Sequence, residues 1–535
     1  MNKNILAGLF LSINTLALAQ DRLPQDDASK YATSITPSDL KKHLVIIASD
    51  SLEGRDTGSP GQKKAAEYVS KYYKQYGLQP IATDADGSKS YLQKYKLYKR
   101  SWGDVYVKAD GKKYEFNKDF YLNGLLDIPE EVGTSLVTAG YGIEEGGYND
   151  YANLDVRDKS VILFEGEPKA PGGTYLLSGN SEKSKWSGSV SWQVKAKLAR
   201  EKGAKYVFII TDKTGEDLDK EIRQRAVMAR RFSAPTLKPV QENPSGIAAF
   251  VVSVDVAADM LGTSASKLNK LKSETDKAGK PVSKSFTGKV ALKVGRVSET
   301  IDTENVAAFM EGSDKRDEVL IISAHLDHIG ISANGEINNG ADDDGSGTVS
   351  MLELAEAFSK AKAEGKGPRR SILFLNVTGE EKGLFGSEYY SENPLLPLKN
   401  TIADLNIDMI GRVDEAHKND HKYVYLIGSD KLSSKLHEIS EEANKKHVNF
   451  NLDYTFNDPK DPNRFYYRSD HYNFAKMGVP VIFYFTGVHE DYHRPGDDVE
   501  KILFDKQSEI VKLVFYTAWE LVNRDERIVV DSHKE

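Results

Sequence analysis

The chain of 535 residues contains no cysteine. Disulfides, thiolate metal sites, a cysteine nucleophile and a cysteine-linked lipid are therefore excluded. Any bound metal must be held by His, Asp and Glu. No basic tract suggests nucleic acid, and no polybasic cluster suggests a membrane anchor. Net charge is −8, with 28% charged residues of both signs mixed along the chain. Long apolar runs are missing as well. The stretch from Ile5 to Leu18 is broken by Gly8, Ser12, Asn14 and Thr15, and is too short to span a bilayer comfortably. It follows Lys3 and ends in Ala17-Leu18-Ala19. That pattern reads as a signal peptide at residues 1–19, cleaved after Ala19. The expectation is a periplasmic or secreted protein without a membrane span after cleavage.

What is present is enough chain for two or more cores. Helical spacing is expected from Ser38 to Ile47 and from Gln62 to Tyr76, with the polar loop 51–61 between them. Tyr91 to Tyr98 reads as a strand. From about Leu126 the texture changes. Short strands are expected at 135–143, 160–164, 206–210 and 248–254, with helices at 192–202 and 256–272. Ser273 to Lys284 reads as a linker. This block, 126–290, is taken as an inserted smaller α/β domain between residues 20–125 and 291–535. Beyond it, strands at 306–310, 319–324, 371–377, 402–407, 423–427 and 481–485 alternate with helices at 347–361, 431–446 and 504–523. Such alternation predicts a three-layer α/β/α core around a mixed, mostly parallel sheet. Sites in such sheets lie at the carboxyl ends of the strands.

Five segments place a metal-competent residue at or near such an end. His325 closes the strand 319–324. Asp342-Asp343-Asp344 lies in a Gly-rich loop before a helix. Glu380-Glu381 follows the strand 371–377, Asp408 follows 402–407, and His493 lies beyond 481–485. Zinc accepts imidazole nitrogen and carboxylate oxygen. Two zincs in a peptidase sit roughly 3.5–4 Å apart and activate a water between them. They need a shared carboxylate and further ligands, plus one free carboxylate as base. Adjacent Glu380 and Glu381 can point differently, one to metal and one to water. Asp327 can hold the His325 ring in the right tautomer. The triple Asp lacks the alternating spacing of an EF-hand. His417, His421, His437 and His447 lie in polar or helical settings and are assigned no role.

At these residues the sequence resembles the M28 family of zinc aminopeptidases. The matching stretches are Ser-Ala-His-Leu-Asp-His-Ile-Gly (323–330), Asn-Gly-Ala-Asp-Asp-Asp-Gly-Ser-Gly (339–347), Thr-Gly-Glu-Glu-Lys-Gly-Leu-Phe-Gly-Ser (378–387), Asn-Ile-Asp-Met-Ile-Gly-Arg (406–412), Arg-Ser-Asp-His (468–471) and Tyr-His-Arg-Pro-Gly-Asp (492–497). The loop 51–61 also resembles the family's N-terminal loop. The resemblance implies two Zn2+ per subunit, bridged by Asp343. His325 and Asp408 would complete one ion, and Glu381 and His493 the other. Glu380 would be the general base. Tyr492 or Tyr466 would donate to the tetrahedral oxyanion, and Asp470 would support the site from behind. The implied substrates are peptides with a free N-terminus. The block 126–290 resembles a protease-associated domain on 139–143, 158–163 and 195–205; such a domain would restrict the cleft to small or flexible peptides.

Other activities suit the same scaffold. A glutaminyl cyclase uses one zinc, and the intact His325 and Asp408 argue against it. A non-catalytic binding protein would have lost Glu380 or ligands, and none is lost. A carboxypeptidase or dipeptidase stays open, because Arg412 and Arg468 lie near the motifs and a cation is what a substrate carboxylate needs.

Overall fold

Two early helices start where a hydroxyl precedes a proline. Thr36 and Ser59 accept the N–H of Asp39 and Gln62 at 3.1 and 3.2 Å, and Pro37 and Pro60 take the first helical positions of Pro37–Ile47 and Pro60–Gln75. Proline costs nothing there, because the first-turn N–H has no intrahelical partner. The computed structural model describes residues 25–170, 173–231, 233–239, 247–282 and 284–533. The expected signal peptide and the bond after Ala19 lie outside the described residues. Among those described, no helix is long and apolar enough to cross a membrane.

The chain divides into two compact units, one formed by the chain up to Tyr95 with Asp302–Glu535, the other by Lys96–Ile301. The smaller unit contains all of 126–290 and extends beyond it on both sides.

In the larger unit the strands run, edge to edge, Asn451–Asp453, Tyr423–Ile427, Val481–Phe485, Thr401–Ile407, Lys315–His325, Arg370–Val377 and the end of Thr287–Met310. The pairings of 315–325 with both neighbours are parallel, as is 401–407 with 481–485. Those of 423–427 with 481–485 and of 306–310 with 370–377 are antiparallel. Alternate residues face opposite layers, as a pleat requires. Leu320 and Ile322 join a core with the helices Gly347–Ala363 and Phe504–Asn523. Val319 and Ile321 join another with Tyr390 and Phe474 of Phe385–Glu392 and His471–Ala475. The three-layer core expected from the alternation is what forms.

The smaller unit has its own sheet: Phe120–Gly124, Ala248–Val252, Tyr206–Ile210, Ser160–Phe164, Ile128–Thr138 and the start of Thr287–Met310. Several local expectations shift here. The strand expected at 135–143 is Ile128–Thr138, because Gly140 and Gly142 turn the chain at φ 50° and 70°. The helix expected at 256–272 splits into Val254–Met260 and Ala265–Ala278, parted at Gly262. The second of these occupies part of the segment read as a linker; Leu268, Leu271 and Thr275 give it a buried face despite its lysines. The helix Gly215–Arg231 was not anticipated.

Candidate metal centre

Strand register brings the site together. His325 pairs with Val377 and Ser323 with Asn406, so Glu380 and Asp408 emerge just beyond the level of His325. Asp343 comes from the turn before helix 347–363, and His493 from the loop after strand 481–485, with its backbone held at φ 56°. Such a conformation in a bulky residue is a strained one that the surroundings must enforce. All five expected ligands therefore meet at the carboxyl ends of the strands.

The two oxygens of Asp343 serve different partners. Oδ1 lies 3.3 Å from His325 Nε2, and Oδ2 lies 3.2 Å from His493 Nε2. His325 Nε2 is also 3.5 Å from Asp408 Oδ1, and His493 Nε2 is 3.0 Å from Glu381 Oε2. Two donor clusters thus share one carboxylate. His325, Asp344 and Asp408 group closely, as do His328, Asp343 and Glu381. Asp344 is occupied otherwise: its oxygens accept the backbone N–H groups of His325, Gly347 and Met409 at 3.0, 2.9 and 3.2 Å. It ties three loops together, leaving Asp343 to face both clusters.

The electrostatics fit cations. Burial would raise the Asp343 carboxyl, but the rings of His328, His325 and His493 override it and hold it well below its usual range. Burial would lower the His493 ring; Asp343 and Glu381 bring it up to about 10. Burial and then Glu381, Asp470 and Asp408 push the Glu380 carboxyl up, against the opposing pull of His325. Protons gather where acids crowd, and a divalent ion competes for the same places. Asp343 Oδ2 and Glu381 Oε1 are buried without a hydrogen-bond partner, as atoms aimed at an ion would be. The N and O donor set suits zinc, though other divalent ions accept it too.

Supporting contacts fix these groups. His325 Nδ1 lies 3.0 Å from the backbone carbonyl of Asp327, whereas the Asp327 carboxylate is 3.9 Å away. Asp327 thus sets the tautomer through its main chain. Its carboxylate instead accepts from Thr57 at 2.7 Å and from the Glu380 N–H at 3.2 Å. Asp470 accepts from Ser387 at 2.5 Å, anchoring the helix that follows Glu381, and burial raises its carboxyl to about 7. Ser469 donates to Asp408 Oδ2 at 2.6 Å and accepts from Asn406 at 2.9 Å.

Glu380 shares a cavity with His325, Asp343 and Asp408, lined also by Met409, Phe465, Phe483, Phe485, Val488, Arg468 and Tyr492. Tyr492 is thus at the cavity. Tyr466 is not among its lining residues; it packs on Tyr467, His471 and Tyr472. Arg412 is engaged by Glu490 and Asp491, each at 3.1 Å. Sequence reasoning assigned no role to Arg55, Ser469 or Asp497, although all three sit inside the quoted motifs.

Residues 305–518 match the model described as Peptidase family M28, which bears out the resemblance over that stretch. A probable leucine aminopeptidase of Arthroderma benhamiae is 30% identical over 242 residues, 43% of this chain and 60% of that protein. Aminopeptidase YwaD of Bacillus subtilis is 27% identical over 220 residues, 40% of this chain and 43% of that protein. The match thus spans less than two thirds of either relative. Among solved structures, an aminopeptidase from Aneurinibacillus aligns with a TM-score of 0.46 and 19% identity, over 95% of this chain and 100% of that one.

Proposed function

We propose that the chain is an exported metallopeptidase with two zinc ions, removing residues from the free N-termini of peptides. One observation carries this reading: Asp343 turns one oxygen to His325 and the other to His493, with Glu380 in the same cavity. His325, Asp343 and Asp408 would hold one ion, and Asp343, Glu381 and His493 the other. Bound there, the ions would polarise the scissile carbonyl and lower the pKa of water. Glu380 takes the proton of the attacking water and delivers it to the leaving amine. The Asp327 carboxylate keeps Glu380 in place through its backbone N–H. Tyr492, at the cavity, is the better placed of the two tyrosines to donate to the developing oxyanion. The apolar wall of Phe465, Phe483, Phe485 and Val488 favours an apolar residue at the cleaved end. The N-terminal preference is also supported by the names of the Arthroderma and Bacillus relatives, zinc by the nitrogen and oxygen donor set, and export by the Lys3 to Ala19 pattern.

One observation favours a second reading, a carboxypeptidase. Arg468 lines the cavity and stands 3.5 Å from the Tyr492 hydroxyl, a cation placed where a substrate carboxylate could reach it. The deciding experiment incubates the purified protein with aminoacyl chromogenic substrates and an N-blocked peptide, with and without chelator. Chelator-sensitive cleavage of free-amine substrates alone supports the aminopeptidase. Cleavage of the blocked peptide from its carboxyl end overturns it in favour of the second reading.

A further inference from the structure

His328 has no part in the five-ligand arrangement, yet it is built into the site. Its ring is fully buried, and neither ring nitrogen has a hydrogen-bond partner. Nδ1 lies 2.8 Å from Glu381 Oε1 and 3.7 Å from Asp343 Oδ2. The first is an ion-pair contact that, against burial, helps hold the Glu381 carboxyl low, yet it leaves both His328 Nδ1 and Glu381 Oε1 without a hydrogen-bond partner. Three unpartnered donor atoms therefore converge from His328, Glu381 and Asp343. A buried imidazole left this way costs free energy unless something lies between the atoms. The main chain enforces the placement. The His328 N–H donates to the Arg55 carbonyl at 3.2 Å. Gly340, at φ 56°, leaves room for the ring, since a Cβ there would stand 2.6 Å from it.

We propose that His328 is an additional protein ligand of the metal centre, joining Asp343, Glu381 and His493 around one ion. This rests on the two-metal reading above. The two ions then differ. The ion at His325 and Asp408 would have three protein donors, and the other would have four, so that a water shared by both would leave the first four-coordinate and the second five-coordinate. The first exchanges more readily, while the second is held tightly.

The test is zinc binding by the full chain, followed without any assay of turnover. Zinc-edge X-ray absorption on the loaded wild type counts imidazoles and needs no variant. Three imidazoles shared by two ions are expected, and two would overturn the inference. Calorimetric zinc titration of the wild type should show one tight and one weaker step. In His328→Ala, and in His328→Gln as a check on folding, the tight step should weaken by more than about 100-fold, beyond what loss of an outer-shell partner costs. An unchanged tight step overturns the inference. A wild type that binds fewer than two ions overturns the two-metal reading itself, and this inference falls with it.

Discussion

Asp497 holds Asp343 by its backbone: the Asp497 Oδ2 accepts the Asp343 N–H at 3.0 Å. It accepts the Asp342 N–H as well, at 3.0 Å. The shared carboxylate is thus aimed by an acid from a loop more than a hundred residues away. Asp497→Ala frees both N–H groups. Zinc affinity should fall roughly 10- to 100-fold, as for other outer partners, with circular dichroism unchanged. Equilibrium dialysis measures this, and wild-type affinity would show that Asp497 does not position the site.

Glu380 is assigned the proton transfer and no metal. Glu380→Gln keeps the shape and removes the base, so turnover should fall by at least about 100-fold while metal content stays at the wild-type level. Asp343→Ala, by contrast, should lose metal together with activity. Elemental analysis beside a rate assay separates the two. Near-normal rates in Glu380→Gln would remove it from the mechanism.

Arg55 is a structural clamp beneath the site. Its buried guanidinium donates to the carbonyls of Leu326, Ile47, Asn339 and Gly340 at 2.9, 2.6, 2.7 and 2.9 Å. Arg55→Ala leaves several buried carbonyls without donors, at about 1–3 kcal/mol for each one left unmade. A lowered urea midpoint is expected in metal-free protein, with Arg55→Lys recovering only part of it. An unchanged midpoint would mean that water replaces the clamp.

Glu353 lies buried in helix 347–363, and burial, then Glu356 and Asp39, raise its carboxyl to about 8. His43 Nε2 is 3.8 Å away, but burial lowers that ring to about 4, so no ion pair compensates. The folded state therefore holds a proton that the unfolded state loses near 4.5. The associated stability is complete below that pH and is lost as pH rises toward 8. Glu353→Gln should remove this loss. Its advantage over wild type should grow from pH 4.5 to 8 and reach a few kcal/mol, read as a widening gap between chemical denaturation midpoints. A gap that does not change with pH would show that Glu353 ionises in the folded protein as it does in the unfolded one.

Much of the larger unit was legible in the chain. Compact apolar runs such as 371–377 and 481–485 mark buried strands, and an acid or imidazole just beyond a run marks its carboxyl end. His325, Glu380, Glu381 and Asp408 follow from that local pattern. The smaller unit was less legible, because the lysine-rich surface of helix 265–278 hides its buried stripe and the gly-punctuated stretch 135–143 mixes strand with turn.

Chain order alone thus determined the strand–helix alternation and which acids and imidazoles stand at strand ends, since both are matters of local period and position. Only the tertiary structure decided how those groups are held and shared. Asp327 supports His325 through its carbonyl rather than its carboxylate, Tyr492 rather than Tyr466 reaches the cavity, and Arg55, His328 and Asp497 close around the site. The reason is distance along the chain. Arg55 meets Leu326 across 271 residues and Asp497 meets Asp342 across 155, and spacing within a short motif carries no information about such contacts.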